Sequence, residues 1–346
     1  MVAFLFYILT TENNMRFYIT GGAGFIGRHL KKHLMQRGHS ILSDSDLIGD
    51  GMETLPATGE VCVHRNSEDA WAKAFKKYGV DVVVHNAAVV GTDVVALNPA
   101  EATLSNVHGT YNIVRAANAA DVGVCYMGTT VIYDTPAYQK SQIFEDSVRK
   151  PLTYYGVQKM AGEQLVTSMA KKWSVVRPLF AFGGEGDMNS LVAKSIYASL
   201  QGKDSVDMFL DPTKVKDYLH VSDYCAAVTL ICESPAGWGT DFNVAAETPH
   251  TAAEIVRMVS RAVGKDVEKI VRWHPKTDYL GNHRLSSEKV RKQIGWSPRL
   301  DLEGGIKETY DWITSSAASS YNPLKYLDEA AKKNKDLLQH FPVVGQ

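Results

Sequence analysis

The sequence of 346 residues predicts an α/β protein with a Rossmann-type, doubly wound parallel sheet and a smaller mixed α/β lobe. Three observations predict this class. A strand-like run, a glycine-dense corner and a helical pattern follow one another within residues 15–47. Strand and helix patterns then alternate to about residue 180, which is typical of a parallel sheet covered by helices on both faces. Shorter mixed elements follow to about residue 314 and indicate the smaller lobe.

The first strand runs directly into a glycine corner. Gly21, Gly24 and Gly27 lie three residues apart, at the start of a helical pattern. A dinucleotide site needs a sharp turn there, a close approach of the backbone to a pyrophosphate, and a helix packed closely on the sheet. The free N–H groups of the helix start can bind phosphate oxygens. A glycine turn that binds no ligand is the alternative.

The second strand pattern, residues 40–44, ends in acidic residues about twenty positions beyond the glycines. Asp44 or Asp46 can accept a hydrogen bond from an adenosine ribose hydroxyl, and an ordinary turn carboxylate is the alternative for each. Residues 43–50 contain acids and no arginine, so a ribose 2′-phosphate would be repelled. We therefore expect NAD(H) to be preferred over NADP(H).

The later strand and helix patterns complete the first domain. In order they are DVVVHNAA (81–88), NVHGTYNIVRAANAA (106–120), GVCYMGTT (123–130), YYGVQKMAGEQLVTSMA (154–170) and WSVVRP (173–178). The predicted organisation is an N-terminal extension (1–14), a dinucleotide-binding domain (15–180), a substrate-binding lobe (181–314), and a polar C-terminal helix and tail (315–346).

Bulk properties exclude several classes of function. With 37 basic and 38 acidic residues the charge is balanced, so we expect neither a nucleic-acid partner nor a membrane surface. The apolar start of about ten residues is too short to span a bilayer. The four cysteines show no zinc spacing, which predicts reduced core thiols and a cytoplasmic protein. His220, His274 and His283 pair with no ligand at short spacing, so no metal site is predicted.

The strongest chemical pattern is a tyrosine followed four residues later by a lysine. Tyr155 and Lys159 share one face of a helix, where the ammonium would favour the phenolate and bring its pKa toward neutrality. Such a phenol can exchange a proton with a sugar or alcohol hydroxyl. Thr129 and Thr130 end the preceding strand at the ligand-binding edge of the sheet, and one of them can hold the reacting oxygen. An exposed helix face and ordinary β-branched strand residues are the respective alternatives.

Together these motifs resemble a known family. They are TGGAGFIG (20–27), HNAA (85–88), NVHGT (106–110), TTVIYD (129–134), YGVQK (155–159), VRP (176–178), KDYLHVSD (216–223), FNVA (242–245) and IGWSPR (294–299). Their ordered set over about residues 15–314 resembles the extended short-chain dehydrogenase/reductases, the NAD-dependent epimerase/dehydratase group.

The resemblance implies NAD as cofactor and a set of residues that bind it. Thr129, Tyr155 and Lys159 would be the catalytic set, with Lys159 also bonding the nicotinamide ribose. Asn106 would support the helix and water network beside Lys159, unless it only caps a helix start. The remaining implied cofactor contacts are Gly21, Gly24, Phe25, Ile26, Gly27, Asp44 or Asp46 at the ribose, Asn66 at the adenine edge, and Ala87. Members usually form homodimers through a four-helix bundle of the helices carrying NVHGT and YGVQK.

Departures from the family pattern concern the substrate. The 4,6-dehydratases follow the catalytic threonine with an Asp-Glu pair, whereas this chain has Thr130 and Val131, so dehydration is not expected. Phe180 stands where 4-epimerases often carry an asparagine. Lys216 replaces an arginine, and lysine binds phosphate without the bidentate fork. Thr130, Lys216, Arg272 and Lys276 are the predicted substrate contacts.

The predicted function is that of an NAD-dependent nucleotide-sugar epimerase. Such an enzyme oxidises a sugar carbinol by hydride transfer and reduces the ketone again. The alternative enzyme is a reductase or dehydrogenase of a 4-keto-sugar nucleotide or of a small hydroxy or amino acid. A redox-inactive NAD-binding regulator is the alternative from another class, and the joint presence of Thr129, Tyr155 and Lys159 argues against it.

Overall fold

The computed structural model describes residues 14–56, 58–134, 137, 141–187, 190–208, 210–275 and 281–315. The predicted N-terminal extension and the C-terminal helix and tail lie outside these residues, apart from residues 14 and 315. Lys276 also lies outside them. No helix of the described part is long and apolar enough to cross a membrane.

The described strands and helices alternate through the first half of the chain. The strands are β1 (Arg16–Thr20), β2 (Ser40–Leu42), β3 (Val82–His85), β4 (Gly123–Met127), β5 (Trp173–Pro178), β6 (Ala181–Phe182), β7 (Val206–Met208), β8 (Val215–Lys216), β9 (Leu219–His220), β10 (Thr240–Val244), β11 (His250–Thr251) and β12 (Val271–Trp273). The α-helices are α1 (Phe25–Gln36), α2 (Asp44–Gly49), α3 (Glu68–Tyr78), α4 (Thr92–Leu97), α5 (Pro99–Thr103), α6 (Gly109–Ala120), α7 (Tyr154–Met169), α8 (Leu191–Leu200), α9 (Val221–Glu233), α10 (Ala252–Val263), α11 (Glu288–Ile294) and α12 (Leu302–Thr314). A π-helical turn, Leu104–His108, joins α5 to α6.

Six parallel strands form the central sheet, in the order β2-β1-β3-β4-β5-β10. The chain leaves β1 toward β2 on one side and then returns to β3 on the other. This reversal opens a crevice at the carboxyl ends of β1 and β3, where doubly wound folds bind ligands. The predicted doubly wound sheet is therefore confirmed.

The alternation of side chains along the strands builds two apolar layers. Phe17 and Ile19 of β1 face one core, which α1 and α9 cover. Tyr18 between them faces the other core, which α3, α6 and α7 cover. Successive strand residues point to opposite faces, so a parallel sheet covered on both sides needs apolar residues at every strand position.

The smaller lobe has its own core, between α8, α10 and α12. Its short strands pair as β6 with β9, β7 with β12 and β8 with β11, the last pair antiparallel. The predicted mixed α/β lobe is thus present.

The predicted division of the chain at residue 180 differs from the structure. Helix α9 packs on α1 in the core of the large domain, and β10 hydrogen-bonds to β5 as the edge strand of the sheet. Residues 221–244 therefore belong to the large domain, although they follow parts of the lobe in sequence. The physical reason is that β5 leaves an unpaired edge, and β10 supplies the missing backbone hydrogen bonds.

Candidate active site

A cavity of about 700 Å³ lies at the carboxyl ends of β1, β3 and β4. The glycine turn forms one end of it, with Phe25 and Ile26 at the start of α1. Thr129, Tyr155 and Lys159 line it together. The segment after β5 contributes further lining residues, and the structure thus brings the predicted cofactor turn and the predicted catalytic set into one space.

Steric constraints explain the glycines of the turn. Gly21 adopts a φ of +68°, and a Cβ there would lie 2.9 Å from the Ala87 Cα atom. A Cβ on Gly27 would overlap the Gly21 carbonyl oxygen, so α1 can approach the turn only without a side chain. Gly24 precedes α1 and supplies no side-chain cap, which leaves the first N–H groups of the helix for another acceptor. This arrangement fits a dinucleotide pyrophosphate.

The two acids predicted at the ribose have other partners in the structure. The Tyr18 hydroxyl donates to Asp44 Oδ1 at 2.6 Å. Asp46 caps α2, where its Oδ2 accepts from the Ser43 backbone N–H at 3.2 Å. Neither acid lines the cavity. Glu60, which sequence reasoning missed, does line it, and its Oε1 accepts from the Ala23 N–H of the glycine turn at 2.7 Å.

Asn66, predicted at the adenine edge, holds a loop instead. Its Nδ2 donates to the carbonyls of Glu53 and Cys62 at 2.9 and 2.7 Å, and its Oδ1 accepts from the Glu53 N–H at 2.8 Å. The amide is occupied by these backbone groups and does not line the cavity. Its neighbours at positions 61–64 line the cavity in its place.

The catalytic set is positioned by two helix starts. Thr129 precedes a short 3₁₀ turn, and its Oγ1 accepts from the Val131 N–H at 3.4 Å. Tyr155 lies in the first turn of α7, which Thr153 caps by accepting from the Gly156 N–H at 3.0 Å. Thr130 is also buried and lines the cavity.

Burial dominates the proton affinities of the pair. It raises the pKa of Tyr155 to about 12, while a hydrogen bond with Thr129 opposes the rise. Burial also lowers the pKa of Lys159 to about 7, while the Glu163 carboxylate opposes the fall. The expected phenol pKa near neutrality is therefore not found in this structure, because desolvation outweighs the opposing hydrogen bond with Thr129. Near neutral pH, Tyr155 is a protonated phenol that can donate.

An aromatic ring supports the lysine. The Lys159 Nζ atom lies 4.1 Å from the centroid of the Tyr126 ring, a geometry that favours the ammonium form. The Tyr126 hydroxyl donates to the Lys159 carbonyl at 3.2 Å, so the ring is fixed beneath the same helical turn. Tyr126 was not predicted, because in the sequence it is one more apolar residue of a buried strand.

Asn106 lies inside the π-helical turn, and therefore it is not a helix-start cap. Its Oδ1 accepts from the Val89 N–H at 2.7 Å, and its Nδ2 donates to Val89 O and Gln158 Oε1 at 3.0 and 2.9 Å. It therefore ties the segment after β3 to the residue beside Lys159. Ala87 lines the cavity in that segment, and its N–H donates to Thr20 Oγ1 at 3.0 Å.

The predicted substrate cations are not gathered at the cavity. Lys216 is fully buried and donates to the Gly281 carbonyl at 2.6 Å. Its Nζ atom lies 5.8 Å from the centroid of the Phe180 ring, which does line the cavity. Phe180 stacks on Tyr218, with centroids 5.4 Å apart. Arg272 is exposed on β12 and does not line the cavity.

The three histidines considered as metal ligands have separate surroundings in the structure. His220 Nδ1 is 2.8 Å from Ser222 Oγ, and His274 Nε2 is 2.9 Å from Asp207 Oδ1. His283 is fully buried, and burial lowers its pKa to about 3. In the described ranges no cluster of three His, Cys, Asp or Glu side chains could hold a metal ion.

Comparison with known proteins gives a consistent result. The family model described as "NAD dependent epimerase/dehydratase family" matches residues 17–245. A UDP-glucose 4-epimerase of Mycolicibacterium smegmatis is 26% identical over 324 residues, covering 88% of this chain and 100% of the relative. A dTDP-glucose 4,6-dehydratase of the same organism is 24% identical, covering 91% of this chain and 98% of the relative.

Solved structures show the same fold. A Thermus thermophilus UDP-glucose 4-epimerase in complex with NAD has a TM-score of 0.73 and 24% identity, with 87% of this chain and 100% of that chain covered. The Bordetella bronchiseptica enzyme WbmG in complex with NAD has a TM-score of 0.72 and 26% identity, with 88% and 96% covered. With the family match over residues 17–245, the chain belongs to the NAD-dependent epimerase/dehydratase family, and it is an NAD-dependent enzyme of the extended short-chain dehydrogenase type.

Proposed function

We propose that this enzyme is a nucleotide-sugar epimerase, which oxidises a sugar carbinol and reduces the ketone from its other face. One observation carries the proposal: Thr129, Tyr155 and Lys159 converge in the cavity that the glycine turn also lines. The curated relatives include both epimerases and dehydratases. Val131 has no acidic group for the proton transfers of a dehydration, which favours the epimerase.

The side chains have separate roles in this proposal. NAD, held along the glycine turn, supplies the hydride acceptor for the oxidation and the hydride donor for the reduction. In the structure without ligand the Tyr155 phenol is protonated. With the positive charge of oxidised NAD beside it, Tyr155 would act as the phenolate that takes the proton of the sugar hydroxyl in the first half-reaction, and it would return a proton to the ketone oxygen in the second. Thr129 donates a hydrogen bond to that oxygen. The Lys159 ammonium, stabilised by the Tyr126 ring, offsets the charge of the phenolate.

The glycine turn would bind the pyrophosphate with its backbone. Gly21, Gly24 and Gly27 admit the phosphates sterically, and the N–H groups of Phe25 and Ile26 at the start of α1 would donate to them.

At the ribose we propose Asp44 together with Glu60. The pKa of the Tyr18 phenol is raised, first by burial, next by Asp44 and last by Glu60. Both carboxylates therefore lie near the same phenol. Two carboxylates at this edge would repel a 2′-phosphate, which supports NAD rather than NADP.

For the substrate we propose a nucleotide handle on the lobe side of the cavity. Lys216 is the candidate cation because its ammonium lies just behind Phe180. Thr130 would contact the sugar from the β4 side. Arg272 and Lys276 stay secondary candidates, since Arg272 is exposed and Lys276 lies outside the described residues.

One observation favours a second function. Among the described lining residues Lys159 is the sole lysine or arginine, and Phe180 occupies the place where 4-epimerases often carry an asparagine. An apolar wall of this kind suits a smaller substrate. A dehydrogenase of a small hydroxy or amino acid is therefore the alternative.

We also propose a homodimer formed through α6, α7 and their neighbours. Large apolar side chains are exposed on α4, on the π-helical turn and at the start of α7; they are Val94, Leu97, Leu104, Tyr154 and Val157. These elements pack against one another, so the exposed side chains can form one patch. Light scattering should give the mass of a dimer for the wild type, and of a monomer for Leu97→Glu combined with Val157→Glu. A wild-type monomer contradicts the proposal.

Location in the cytoplasm is proposed from the cysteines. All four are free and buried, as expected for a protein of a reducing compartment.

The test of function is a turnover screen. The purified protein is denatured to release and identify its cofactor by mass spectrometry, and a second portion is incubated with UDP-, GDP-, CDP- and dTDP-sugars. An inverted sugar without free NADH supports the epimerase. NADH formed in proportion to product supports the dehydrogenase instead. Tyr155→Phe is the matched control, since it removes one hydroxyl and retains the ring.

A further inference from the structure

Three side chains that the proposed reaction does not use meet in the cavity, close to the glycine turn. They are Cys62, His64 and Glu101. The Cys62 Sγ atom lies 3.4 Å from His64 Nδ1 and 3.9 Å from its Nε2. His64 Nε2 lies 3.1 Å from Glu101 Oε1. A thiol, an imidazole and a carboxylate thus follow one another in space, although Glu101 comes from a separate helix, α5.

The order of the three groups gives them distinct chemical properties. A carboxylate beside Nε2 favours the tautomer that carries its proton there, and Nδ1 is then left to accept the thiol proton. A nucleophile, a base and a group that orients the base form the arrangement by which proteins activate thiols. Cys62 is only 2% exposed, but it lines the cavity, and so a reagent must reach it from that side.

The other three cysteines lie in different surroundings. Cys125, Cys225 and Cys232 lie in the apolar core between the sheet and α9, and none of them lines the cavity. Burial raises the pKa of the Cys225 thiol far above its usual range. A contact with Cys125, followed by burial, does the same for Cys232. Thiols held in this way are unreactive, so the protein contains internal controls for Cys62.

We propose that Cys62 is a site of covalent modification by soft electrophiles that enter the cavity. His64 Nδ1 takes the thiol proton, and Glu101 orients the imidazole. The sulfur then attacks an electrophilic carbon; with a haloacetamide the S–C bond forms as the carbon–halide bond breaks and halide leaves. Cys62 is two residues from Glu60, whose carboxylate contacts the glycine turn. The adduct would therefore block the dinucleotide, a consequence that rests on the proposed function.

Iodoacetamide is the probe for this proposal. The native protein is treated near neutral pH, and the labelling of each cysteine is followed by digestion and mass spectrometry. Cys62 should be labelled while the three core cysteines stay unlabelled. His64→Gln should slow the labelling of Cys62 by roughly tenfold or more, since it removes the base. Glu101→Gln should slow the labelling less. Glu68 is a partly exposed acid that pairs with Arg115, and Glu68→Gln should leave the labelling rate unchanged.

Two further measurements keep the outcome decisive. In urea, the rate at which Cys62 is labelled should be equal for all variants. A difference seen only in the native protein then comes from the native geometry and not from the thiol itself. If His64→Gln does not fold, all four of its cysteines will be labelled. The labelling rate of Cys62 in Glu101→Gln then tests the proposal instead. An unlabelled Cys62 in the native wild type freed of NAD, or equal native rates with and without His64, overturns the proposal.

Excess NAD should protect Cys62, with NAD binding measured separately by calorimetry. Binding without protection would show that an adduct does not compete with the dinucleotide. Absence of binding would contradict the proposed function, while the labelling rates would still decide the role of Cys62.

Discussion

The two ends of the cavity are built on different physical principles. At the cofactor end the backbone makes the surface, because Gly21 and Gly27 leave no room for side chains. At the substrate end side chains make it, and Phe180 forms a wall that stacks on Tyr218, with Lys216 behind it. A backbone surface binds what every family member shares, a pyrophosphate. A side-chain surface can vary from member to member, so we expect the substrate specificity to be decided at the substrate end.

The largest effect is expected between the two ends, at Tyr155. Tyr155→Phe should lower turnover roughly a hundredfold or more, as expected for the loss of a general acid and base. Neither end loses a binding group, so the dissociation constant of NAD and the Michaelis constant of the sugar should change little. Normal turnover in this variant would make the tyrosine structural and would remove the proposed mechanism.

Lys159 should give the protein without ligand a characteristic pH dependence. Its pKa is about 7 in the fold, below the ordinary value of 10.5, because burial disfavours the ammonium. Between these two values the unfolded chain binds the proton and the native protein does not, so stability should rise with pH through this window. Below it both states are protonated, and the cost of burying the charge is fully present.

The measurement is the free energy of unfolding in urea at pH values near 7 and 9, for the wild type and for Lys159→Met. The advantage of the methionine variant should be larger near pH 7 and should shrink by at most about 1.4 kcal/mol for each pH unit. An advantage that does not depend on pH would show that Lys159 keeps its proton in the fold.

Lys216 tests the substrate end by itself. Lys216→Ala should raise the Michaelis constant for a nucleotide sugar by about tenfold, the loss of a charge-assisted contact of roughly 1.5–3 kcal/mol, without changing NAD affinity. The constant of the wild type should also rise with salt, because a diphosphate contact is screened. Arg272→Ala is the matched control, since that side chain is exposed away from the cavity. A Michaelis constant that changes neither with the substitution nor with salt would favour the small-substrate dehydrogenase.

Glu60 tests the cofactor end, with the smallest effect expected. Glu60→Gln should improve NADP binding by about two- to fivefold relative to NAD, since it removes one partly solvated charge near the ribose. Asp46→Asn should leave the ratio unchanged, because that carboxylate caps α2. Equal affinity of the wild type for both dinucleotides would contradict the role of the acids.

The glycine turn at the cofactor end was predictable from sequence, and the reason is locality. The positive φ of Gly21 and the close approach of Gly27 to the Gly21 carbonyl arise within a few residues, so the spacing alone predicts the turn. Tyr155 and Lys159 are also local, being one helical turn apart. Asn66 shows the limit of the family resemblance, since its amide is hydrogen-bonded to the backbone of its own loop.

The substrate end and the domain boundary depend on contacts between residues distant in sequence. Phe180 contacts Lys216 and Tyr218 only because the lobe folds, and no hydrophobic periodicity in the sequence predicts these contacts. The pairing of β10 with β5 was not predicted for the same reason. A five-residue strand that follows an irregular lobe has no local sequence feature that identifies the strand with which it pairs. Tyr126 beneath Lys159 is a third contact of this kind.

In the proposed reaction a hydride leaves one carbon of the substrate and returns to the same carbon. The most direct test is turnover of a nucleotide sugar in D₂O, followed by NMR of the inverted carbon. We predict an inverted product that carries no deuterium at that carbon, because a hydride held inside the cavity does not exchange with solvent. Deuterium at the inverted carbon would show proton abstraction instead, and would contradict the account of Thr129, Tyr155 and Lys159 as a set for hydride transfer.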